Sequence, residues 1–231
     1  MKKNTKIVAL IPMRHHSERV SGKNYRDFAG KPLYHHIVNT ILKSSKISEV
    51  VIDTDSDLIK KDCSKHFPSV ILLDRPEHLR ADTVPMNDVL LNVVSQVVAD
   101  FYFQTHSTNP LLTTVSVDKA IKTFIEHYPN YDSLFSVTKV HKRLWDKNCN
   151  PINHDPDILL RTQDLENMYE ENSCIYIFPR EIMIIRKNRI GIKPFLLPIN
   201  EFETIDIDEE FDFIFAEALM KKRQHQLKSK E

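Results

Sequence analysis

The chain contains few glycines and few cysteines, and it has no long hydrophobic run. Of its 231 residues, 3 are glycine and 3 are cysteine. Cys63, Cys149 and Cys174 are far apart and form no Cys-x-x-Cys pair, which argues against a disulfide framework or a zinc cluster and favours a reducing compartment. No apolar run approaches the length of a membrane span, and the run behind the basic N-terminus is too short for a signal peptide. We therefore expect a cytoplasmic protein without a membrane partner.

The chain also lacks an excess of charge of either sign. Lys+Arg and Asp+Glu both number 32, so no overall field attracts nucleic acid, and we expect no nucleic-acid partner. Any cationic function must therefore be local. With 231 residues and 41% hydrophobic content, the chain can bury one sizeable core, which predicts a single domain over residues 1–231.

A buried strand followed by a cationic loop opens the chain. Ile7–Ile11 is a continuous apolar run of strand length, and we expect the strand to stop at Pro12, which has no N–H to donate. Open α/β sheets bind phosphates in loops of this kind, although any surface loop also collects basic residues. The glycines of a P-loop or a dinucleotide fingerprint are absent. The polar and glycine residues of the loop are Arg14, Ser17, Arg19, Gly22, Lys23 and Asn24.

Strand and helix patterns alternate along most of the remaining chain, which predicts a parallel sheet. This periodicity disappears over residues 141–157, an excursion that has no core of its own. We predict helices over residues 33–42, 58–66, 89–98 and 117–125, and strands over residues 50–52, 70–73, 101–104 and 134–138.

Two carboxylates near the C-terminus share one face of a predicted strand. Side chains two apart project together from a strand, so Asp206 and Asp208 point one way while Ile205 and Ile207 enter the core. Paired carboxylates on one face favour a divalent cation. Asp208 is alternatively the cap of the following helix, and the two roles are compatible.

The order of residues in the first loop resembles the signature of the CMP-sialic acid synthetases, also called acylneuraminate cytidylyltransferases. Arg-x-x-Ser-x-x-x-x-Gly-Lys-Asn followed by Ala-Gly-Lys-Pro-Leu is similar to the family's RGGSKGIPGKN…AGKPL. His15 and His16 stand where the family has two glycines, and Ser21 stands where it has proline. The spacing Arg-x-x-Ser-x-Arg-x-x-Gly-Lys is also similar to the CMP-Kdo synthetases, so this loop does not decide the substrate.

Two later loops resemble the same family. Residues 75–83 are similar to the family's RPxxLAxDTxS segment, with Met86 in place of the serine. Residues 105–111 are similar to its LQPTSPL turn, with His106 in place of glutamine and Asn109 in place of a serine. Because a titratable ring replaces an amide, the resemblance implies that His106 affects the choice of sugar. Ordinary turn chemistry is the alternative.

The C-terminal half carries two further matches. Residues 161–165 and 172–176 resemble the family's RRQDL…YxxNGAIY, with Thr162 in place of the second arginine and Ser173 in place of glycine. Residues 205–208 resemble its metal-binding SIDIDT segment.

The resemblance extends in order from Ile7 to about Leu219, and it implies a fold and an activity. The implied fold is α/β, a three-layer Rossmann-like nucleotide-diphospho-sugar transferase fold with a mainly parallel sheet. The implied enzyme is a cytidylyltransferase that uses Mg²⁺ to join CTP to a 2-keto-3-deoxy sugar acid such as a sialic acid-like nonulosonate, giving a CMP-sugar and pyrophosphate. A nucleotidyltransferase of the same fold for another sugar acid, such as Kdo, and a non-catalytic nucleotide-sugar sensor remain alternatives.

The resemblance also implies residue roles. No residue stands out as a general base, so a metal-bound hydroxide and direct metal activation of the sugar hydroxyl both stay open. The implied catalytic residues are Arg14, Lys23, Asp206 and Asp208, of which Asp206 and Asp208 would hold Mg²⁺. The nucleotide would contact Arg14, Ser17, Lys23, Asn24 and Arg75, and the sugar acid would contact His106, Thr108, Arg161, Gln163 and Tyr176.

The aperiodic excursion has an implied role in assembly. In the resembled family this region is an arm that reaches into a partner's active site, which predicts a homodimer with residues 141–170 as a dimerisation and substrate arm. Arg161 would then act on the partner's substrates. A local flap over the chain's own site is the alternative.

Overall fold

Strands and helices alternate along most of the chain in the computed structural model, which describes residues 5–17 and 19–229. Single 3₁₀ turns lie at Glu77–Leu79, Thr162–Asp164 and Glu201–Glu203. The strands are β1 (Ile7–Pro12), β2 (Asp27–Phe28), β3 (Lys31–Pro32), β4 (Glu49–Thr54), β5 (Ile71–Asp74), β6 (Phe101–Gln104), β7 (Ser133–Val140), β8 (Met168–Pro179) and β9 (Pro194–Pro198). The helices are α1 (Leu33–Leu42), α2 (Asp57–His66), α3 (Met86–Gln96), α4 (Thr114–His127), α5 (Arg180–Arg186) and α6 (Glu210–Lys228).

Among the described residues, seven strands form one mainly parallel sheet, as predicted. Their order is β5-β4-β1-β6-β8-β7-β9, and β2 and β3 form a separate ribbon. The pairs β5–β4, β4–β1, β1–β6 and β7–β9 are parallel. Only β8 runs against its neighbours β6 and β7. The carboxyl ends of β1 and β6 therefore meet at one edge, where open α/β sheets bind ligands.

The core lies on both faces of the sheet. Ala9 and Ile11 of β1 pack into a cluster that contains residues of α1, α2 and α4, whereas Val8 and Leu10 pack with α3 and α5. Because helices cover both faces, β1 is apolar throughout rather than alternating. Burial of each such aliphatic side chain contributes about 1.5–3 kcal/mol. A third cluster, which includes Ile207, packs α6 against Phe28 of β2 and Leu33 of α1. The predicted three-layer arrangement is confirmed.

Residues 204–208 are not a strand, so that prediction is wrong. Ile207 N donates to Thr108 O at 2.9 Å, but no neighbouring strand pairs with this segment among the described residues. Ile207 is nonetheless fully buried. The alternation of apolar and acidic residues thus indicates which side is buried, but it does not require a paired strand.

The start of α6 also differs from the prediction that Asp208 caps the helix. The cap is Glu209, whose side chain and that of Asp212 form a reciprocal capping box. Asp212 Oδ2 accepts from the backbone N–H groups of Glu209 at 2.8 Å and Asp208 at 3.1 Å. The Asp208 carboxylate is therefore free of capping and available to the site.

The predicted helix over residues 89–98 ends earlier, at Gln96. Val97 has extended backbone angles, yet its side chain stays buried. The apolar pattern continues into the turn that leads to β6, and periodicity alone does not show that the backbone has left the helix.

The connection between β7 and β8 has little regular structure and exposes several apolar side chains. Besides the turn at Thr162–Asp164, it contains one isolated bridge between Trp145 and Pro151. In the described part of the chain, no helix combines the length and the apolar character needed to cross a bilayer. The exposed apolar residues of the connection and the start of β8 are Trp145, Ile152, Ile158, Leu159, Leu160 and Tyr169.

Candidate active site

A cavity of about 490 Å³ lies at the carboxyl edge of the sheet. The loops after β1 and β6 form much of its wall, together with residues from the segment before α6. Its described lining includes predicted site residues from four separate motifs: Arg14, Ser17, Lys23, Asn24, Arg75, His106, Thr108, Asp206 and Asp208.

Cations of the first loop face the two carboxylates. Arg19 Nη2 donates to Asp208 Oδ1 at 2.6 Å, and Lys23 Nζ lies 3.9 Å from the same oxygen. Lys23 Nζ also donates to Ile207 O at 2.6 Å. Burial lowers the pKa of Lys23, and the charges of Asp208 and Asp206 act in the opposite direction. This end of the cavity therefore holds alternating charges, an arrangement that suits a polyanion with a counter-cation.

Gly22 serves the turn of this loop rather than a close approach to the cavity. Its φ is +61°, and a Cβ there would lie 2.9 Å from ring atoms of Tyr25. Any other residue would strain the backbone and displace the ring. Gly22 is not among the described residues that line the cavity, so its role is to shape the loop.

His15 ties the loop to the turn after β4. Its backbone N donates to Asp55 Oδ1 at 2.7 Å, and its Nδ1 lies 2.7 Å from Ser56 Oγ. The ring stacks on Tyr25 with centroids 5.6 Å apart. A side chain therefore fixes the loop where the resembled family has glycine, while His16 lines the cavity.

Asn24 and Arg75 are held by other buried groups. Asn24 Nδ2 donates to Arg14 O at 2.8 Å and its Oδ1 accepts from Ser107 at 2.7 Å. Arg75, whose side chain is 2% exposed, donates through Nε to Asp53 Oδ1 at 2.5 Å. Burial raises the pKa of Asp53, and the charge of Arg75 opposes that shift. Both side chains are thus fixed before any ligand binds.

Asp206 has a buried carboxylate oxygen, Oδ1, without a hydrogen-bond partner. Burial raises the pKa of Asp206; a hydrogen bond from Thr108 lowers it, and the neighbouring Asp208 charge raises it further. A hard divalent cation takes oxygen ligands of this kind. The free oxygen beside a second carboxylate could therefore hold a metal ion.

The described residues contain one other group with metal-ligand chemistry, formed by His35, Asp62 and His66 on α1 and α2. Its members already hydrogen-bond to one another: His35 Nε2 lies 2.6 Å from Asp62 Oδ2, and His66 Nδ1 lies 3.0 Å from Asp62 O. The group does not line the cavity.

The other end of the cavity contains His106. Burial lowers its pKa to about 3, helped by the positive charges of Arg189 and Lys23. The lowered pKa favours the neutral ring, and the effect of His106 on the choice of sugar stays a prediction. Arg189 Nη1 donates to Gln104 Oε1 at 2.8 Å, and Gln104 Nε2 lies 2.8 Å from His106 Nε2. Since arginine only donates, the amide must donate to His106 Nε2, which assigns the ring proton to Nδ1.

Three predicted residues do not line this cavity among the described residues. Tyr176 is fully buried, and its ring lies 3.6 Å below the guanidinium carbon of Arg189. Arg161 has a side chain that is 75% exposed and pairs with Asp164 at 2.7 Å. Gln163 lies in the same exposed turn.

The structure adds lining residues that sequence reasoning did not assign to the site. Arg19 belongs to the cationic first loop. Asp82, which pairs with Arg14, belongs to the second motif region. Arg189 lies in the turn between α5 and β9, where no motif marked it. The added residues include His16, Arg19, Asp82, Met86, Ser107, Ser173 and Arg189.

Comparisons with known sequences agree with the motif resemblance. Residues 8–229 match a protein-family model described as cytidylyltransferase. The chain is 32% identical over 241 residues to the CMP-N,N'-diacetyllegionaminic acid synthase of Legionella pneumophila, covering 96% of this chain and 99% of that protein. It is 25% identical to an N-acylneuraminate cytidylyltransferase of Streptococcus agalactiae, covering 90% of this chain but 52% of that longer protein.

The fold is also that of solved nucleotidyltransferases. A CMP:2-keto-3-deoxy-manno-octonic acid synthetase complexed with CTP superposes with a TM-score of 0.71 at 18% identity, covering 95% of this chain and 100% of that one. A 4-diphosphocytidyl-2C-methyl-D-erythritol synthase from Anaerococcus prevotii gives a TM-score of 0.69 at 13% identity, covering 94% and 96%. The family match over nearly the whole length, together with the cavity at the carboxyl edge, leads to one conclusion: this chain belongs to the cytidylyltransferase family and is a nucleotidyltransferase.

Proposed function

We propose that this cytidylyltransferase joins CTP to a 2-keto-3-deoxy sugar acid of the nonulosonate class, giving a CMP-sugar and pyrophosphate. The observation that carries the proposal is the end of the cavity where Arg19 and Lys23 lie beside Asp208, with Arg14 and Asp206 in the same lining. The full-length match to a CMP-nonulosonate synthase supports the nonulosonate class.

The reaction requires positioning and charge neutralisation. The anomeric hydroxyl oxygen of the sugar attacks the α-phosphorus, a P–O bond forms, the bond to pyrophosphate breaks, and the hydroxyl proton is lost. Negative charge develops on the leaving pyrophosphate. Arg14 and Lys23 would bind the triphosphate, with Ser17 as a neutral donor, so that fixed cations are already in place when that charge develops.

Nucleotide selection would involve the second motif region. Arg75 lines the cavity while Asp53 holds its guanidinium, so its remaining N–H groups are available to the nucleotide in one fixed geometry. Asn24 would fix the backbone of the first loop, because its side-chain amide donates a hydrogen bond to Arg14 O.

The carboxylate pair fits Mg²⁺. Asp206 offers a buried oxygen without a hydrogen bond, and Asp208 offers a half-exposed carboxylate. Mg²⁺ is usually held by one or two carboxylates together with phosphate oxygens. When bound, it would neutralise phosphate charge and polarise the reacting oxygen.

The proposal includes a homodimer in which residues 141–170 form an arm to the partner. Apolar side chains on this segment are exposed, and Leu159 is 87% exposed. Arg161 and Gln163 are not part of the described lining of their own chain's cavity. Residues that serve a partner's cavity would be placed in this way. Thr108 and His106 would contact the sugar acid from within the chain.

We also place the enzyme in the cytoplasm. Cys63, Cys149 and Cys174 are all free, and an exposed free thiol such as Cys149 is compatible with a reducing compartment.

A panel of substrates tests the proposed function. The protein is incubated with Mg²⁺, one nucleoside triphosphate and one sugar acid, and pyrophosphate release is measured. We expect release with CTP and at least one nonulosonic acid, and little with ATP, GTP or UTP. Release only with an octulosonic acid would support the Kdo alternative, and CTP binding without release for any sugar acid would indicate a sensor.

A further inference from the structure

Arg189 is a largely buried cation whose charge no carboxylate of the described residues compensates closely. Its side chain is 16% exposed, and Nη2 lies 4.0 Å from Glu171 Oε1. That oxygen already accepts the hydroxyl proton of Tyr176. Burial lowers the pKa of Arg189, but a guanidinium remains charged in proteins. Buried charges are normally paired. In the part of the chain that the structure describes, however, this cation has no carboxylate closer than 4.0 Å.

Contacts from three elements fix this guanidinium. Nη1 donates to Gln104 of β6 at 2.8 Å, and the ring of Tyr176 in β8 lies 3.6 Å from the guanidinium carbon. The backbone N of Arg189 is held by Asn87 Oδ1 in α3 at 3.3 Å. The fixed side chain has five N–H donors and uses them in hydrogen bonds to Gln104 and Tyr176, so it retains donors for a ligand.

The surroundings of Arg189 differ from those of the other cavity cations. Arg19 and Lys23 lie beside Asp208. Arg189 instead has the uncharged groups Gln104 and Tyr176 as its close contacts, and the Glu171 carboxylate lies 4.0 Å away. A triphosphate with a divalent cation suits the first environment. A single guanidinium among neutral groups suits one planar anion of single charge, because a carboxylate accepts two parallel N–H bonds from it.

The chemistry of the proposed substrate makes such an anchor useful. In a 2-keto-3-deoxy sugar acid in its ring form, the carboxylate and the reacting hydroxyl are attached to the same carbon. Holding the carboxylate therefore restricts the position of the attacking oxygen as well. His106 is affected by the charges of both Arg189 and Lys23, which is consistent with a place between the sugar and phosphate ends.

We propose that Arg189 is the residue of this chain that binds the carboxylate of the sugar acid, with Gln104 and Tyr176 positioning its guanidinium. The inference rests on the proposed function, because it requires a sugar acid as substrate. It names a residue that neither the motifs nor the family resemblance marked.

Arg189→Gln tests the assignment, since glutamine removes the charge and keeps a hydrogen-bond donor. Loss of one partner of a buried charge pair typically weakens binding by about 30-fold or more. We expect the KM for the sugar acid to rise by that factor, while the Kd for CTP, measured by calorimetry, stays within about twofold. Retained CTP binding also shows that the variant is folded. Arg186→Gln, at the exposed end of α5, is the matched control and should change neither quantity.

A substrate in which a carboxamide replaces the carboxylate separates binding from a structural effect. The wild type should lose a similar factor on this analogue, whereas Arg189→Gln should lose little more, because the contact is already absent. An unchanged KM for the sugar acid, an equal loss of CTP affinity, or an equal carboxamide penalty in both proteins would overturn the assignment while leaving the proposed function intact. Absence of turnover by the wild type with every sugar acid would overturn both.

Discussion

The buried carboxylate of Asp206 lowers the stability of the folded protein at neutral pH, although the site uses it for binding. Its folded pKa lies above the ordinary value of 3.8, so folding penalises the charged form at neutral pH. Asp206→Asn should therefore raise the free energy of unfolding in metal-free buffer, by about 0.5–2 kcal/mol as is typical of such changes. This advantage should be present at neutral pH and vanish as the pH falls through the folded pKa, because the wild-type side chain then becomes neutral as well.

Calorimetric Tm values of both proteins between neutral pH and pH 4 measure this effect, and turnover of the variant should be lost. Asp208→Asn serves as the control, since Asp208 is half exposed and paired with Arg19, and it should not stabilise the protein. A lower Tm for Asp206→Asn at neutral pH would contradict the account.

Ser173 stands in a backbone conformation that favours glycine. Its φ is +58°, which costs a non-glycine residue about 1–2 kcal/mol, and glycine has a larger entropy in the unfolded chain. The net expectation for Ser173→Gly is a gain of about 0.5–1 kcal/mol in unfolding free energy, measured by urea titration. Ser95→Gly within α3 should instead lose about 0.5–1 kcal/mol. If Ser173→Gly behaves like the helical control, the backbone at this position is not strained.

Single residues also show which parts of the site can be predicted from the sequence. Arg14, Lys23, Asp206 and Asp208 were identified because their motifs are local in the chain. Arg189 was not, because its place in the cavity results from tertiary contacts with Gln104 and Tyr176, which no local pattern encodes. The lowered pKa of His106 likewise follows from burial and neighbouring cations, and these are known only from the folded structure.

Helix α6 connects stability to the site, because its capping box fixes the backbone beside Asp208. Asp212 Oδ2 accepts from the N–H groups of both Glu209 and Asp208. Asp212→Ala should lower stability by about 1 kcal/mol, or about 2–4 °C in Tm. Since Asp208 loses its backbone anchor, the variant should also need more Mg²⁺ for half-maximal turnover.

Asp57→Ala is the matched control for this change. Asp57 lies in the first turn of α2, but its side chain is 94% exposed and makes only an ion pair with Lys60. Because an exposed ion pair contributes little to stability, we expect a much smaller loss of stability than for Asp212→Ala, and an unchanged Mg²⁺ requirement. An equal effect of the two changes would mean that the capping box does not support the site.

At the level of elements, periodicity predicted the sheet and the helices that cover it. Periodicity failed where a residue is buried although its backbone does not belong to the predicted strand or helix. Ile207 is buried without a paired strand, and Val97 is buried beyond the end of α3. In both places the core selects apolar side chains whatever the local backbone, so the pattern indicates burial more reliably than it indicates secondary structure.

For the whole molecule, the proposed arm predicts that two inactive chains can restore each other. Arg14 lies in the cavity of its own chain, and Arg161 would serve the partner's cavity. If Arg14→Ala and Arg161→Ala are each inactive and are refolded together, each mixed dimer has one site with both changes and one with neither. Random pairing should then restore about a quarter of wild-type activity. No recovery, with mixed dimers demonstrated by mass spectrometry, would favour the local flap.

The central claim is that the cavity transfers a cytidylyl group from CTP to a sugar acid. The most direct test follows CTP, Mg²⁺ and a nonulosonic acid by ³¹P NMR in the presence of the enzyme. Attack at the α-phosphorus predicts that the three CTP resonances are replaced by one phosphodiester resonance and pyrophosphate in equal molar amounts. Asp208→Asn should leave CTP intact under the same conditions. Release of inorganic phosphate with a diphosphate-linked product, or unchanged CTP with every sugar acid tested, would contradict the account.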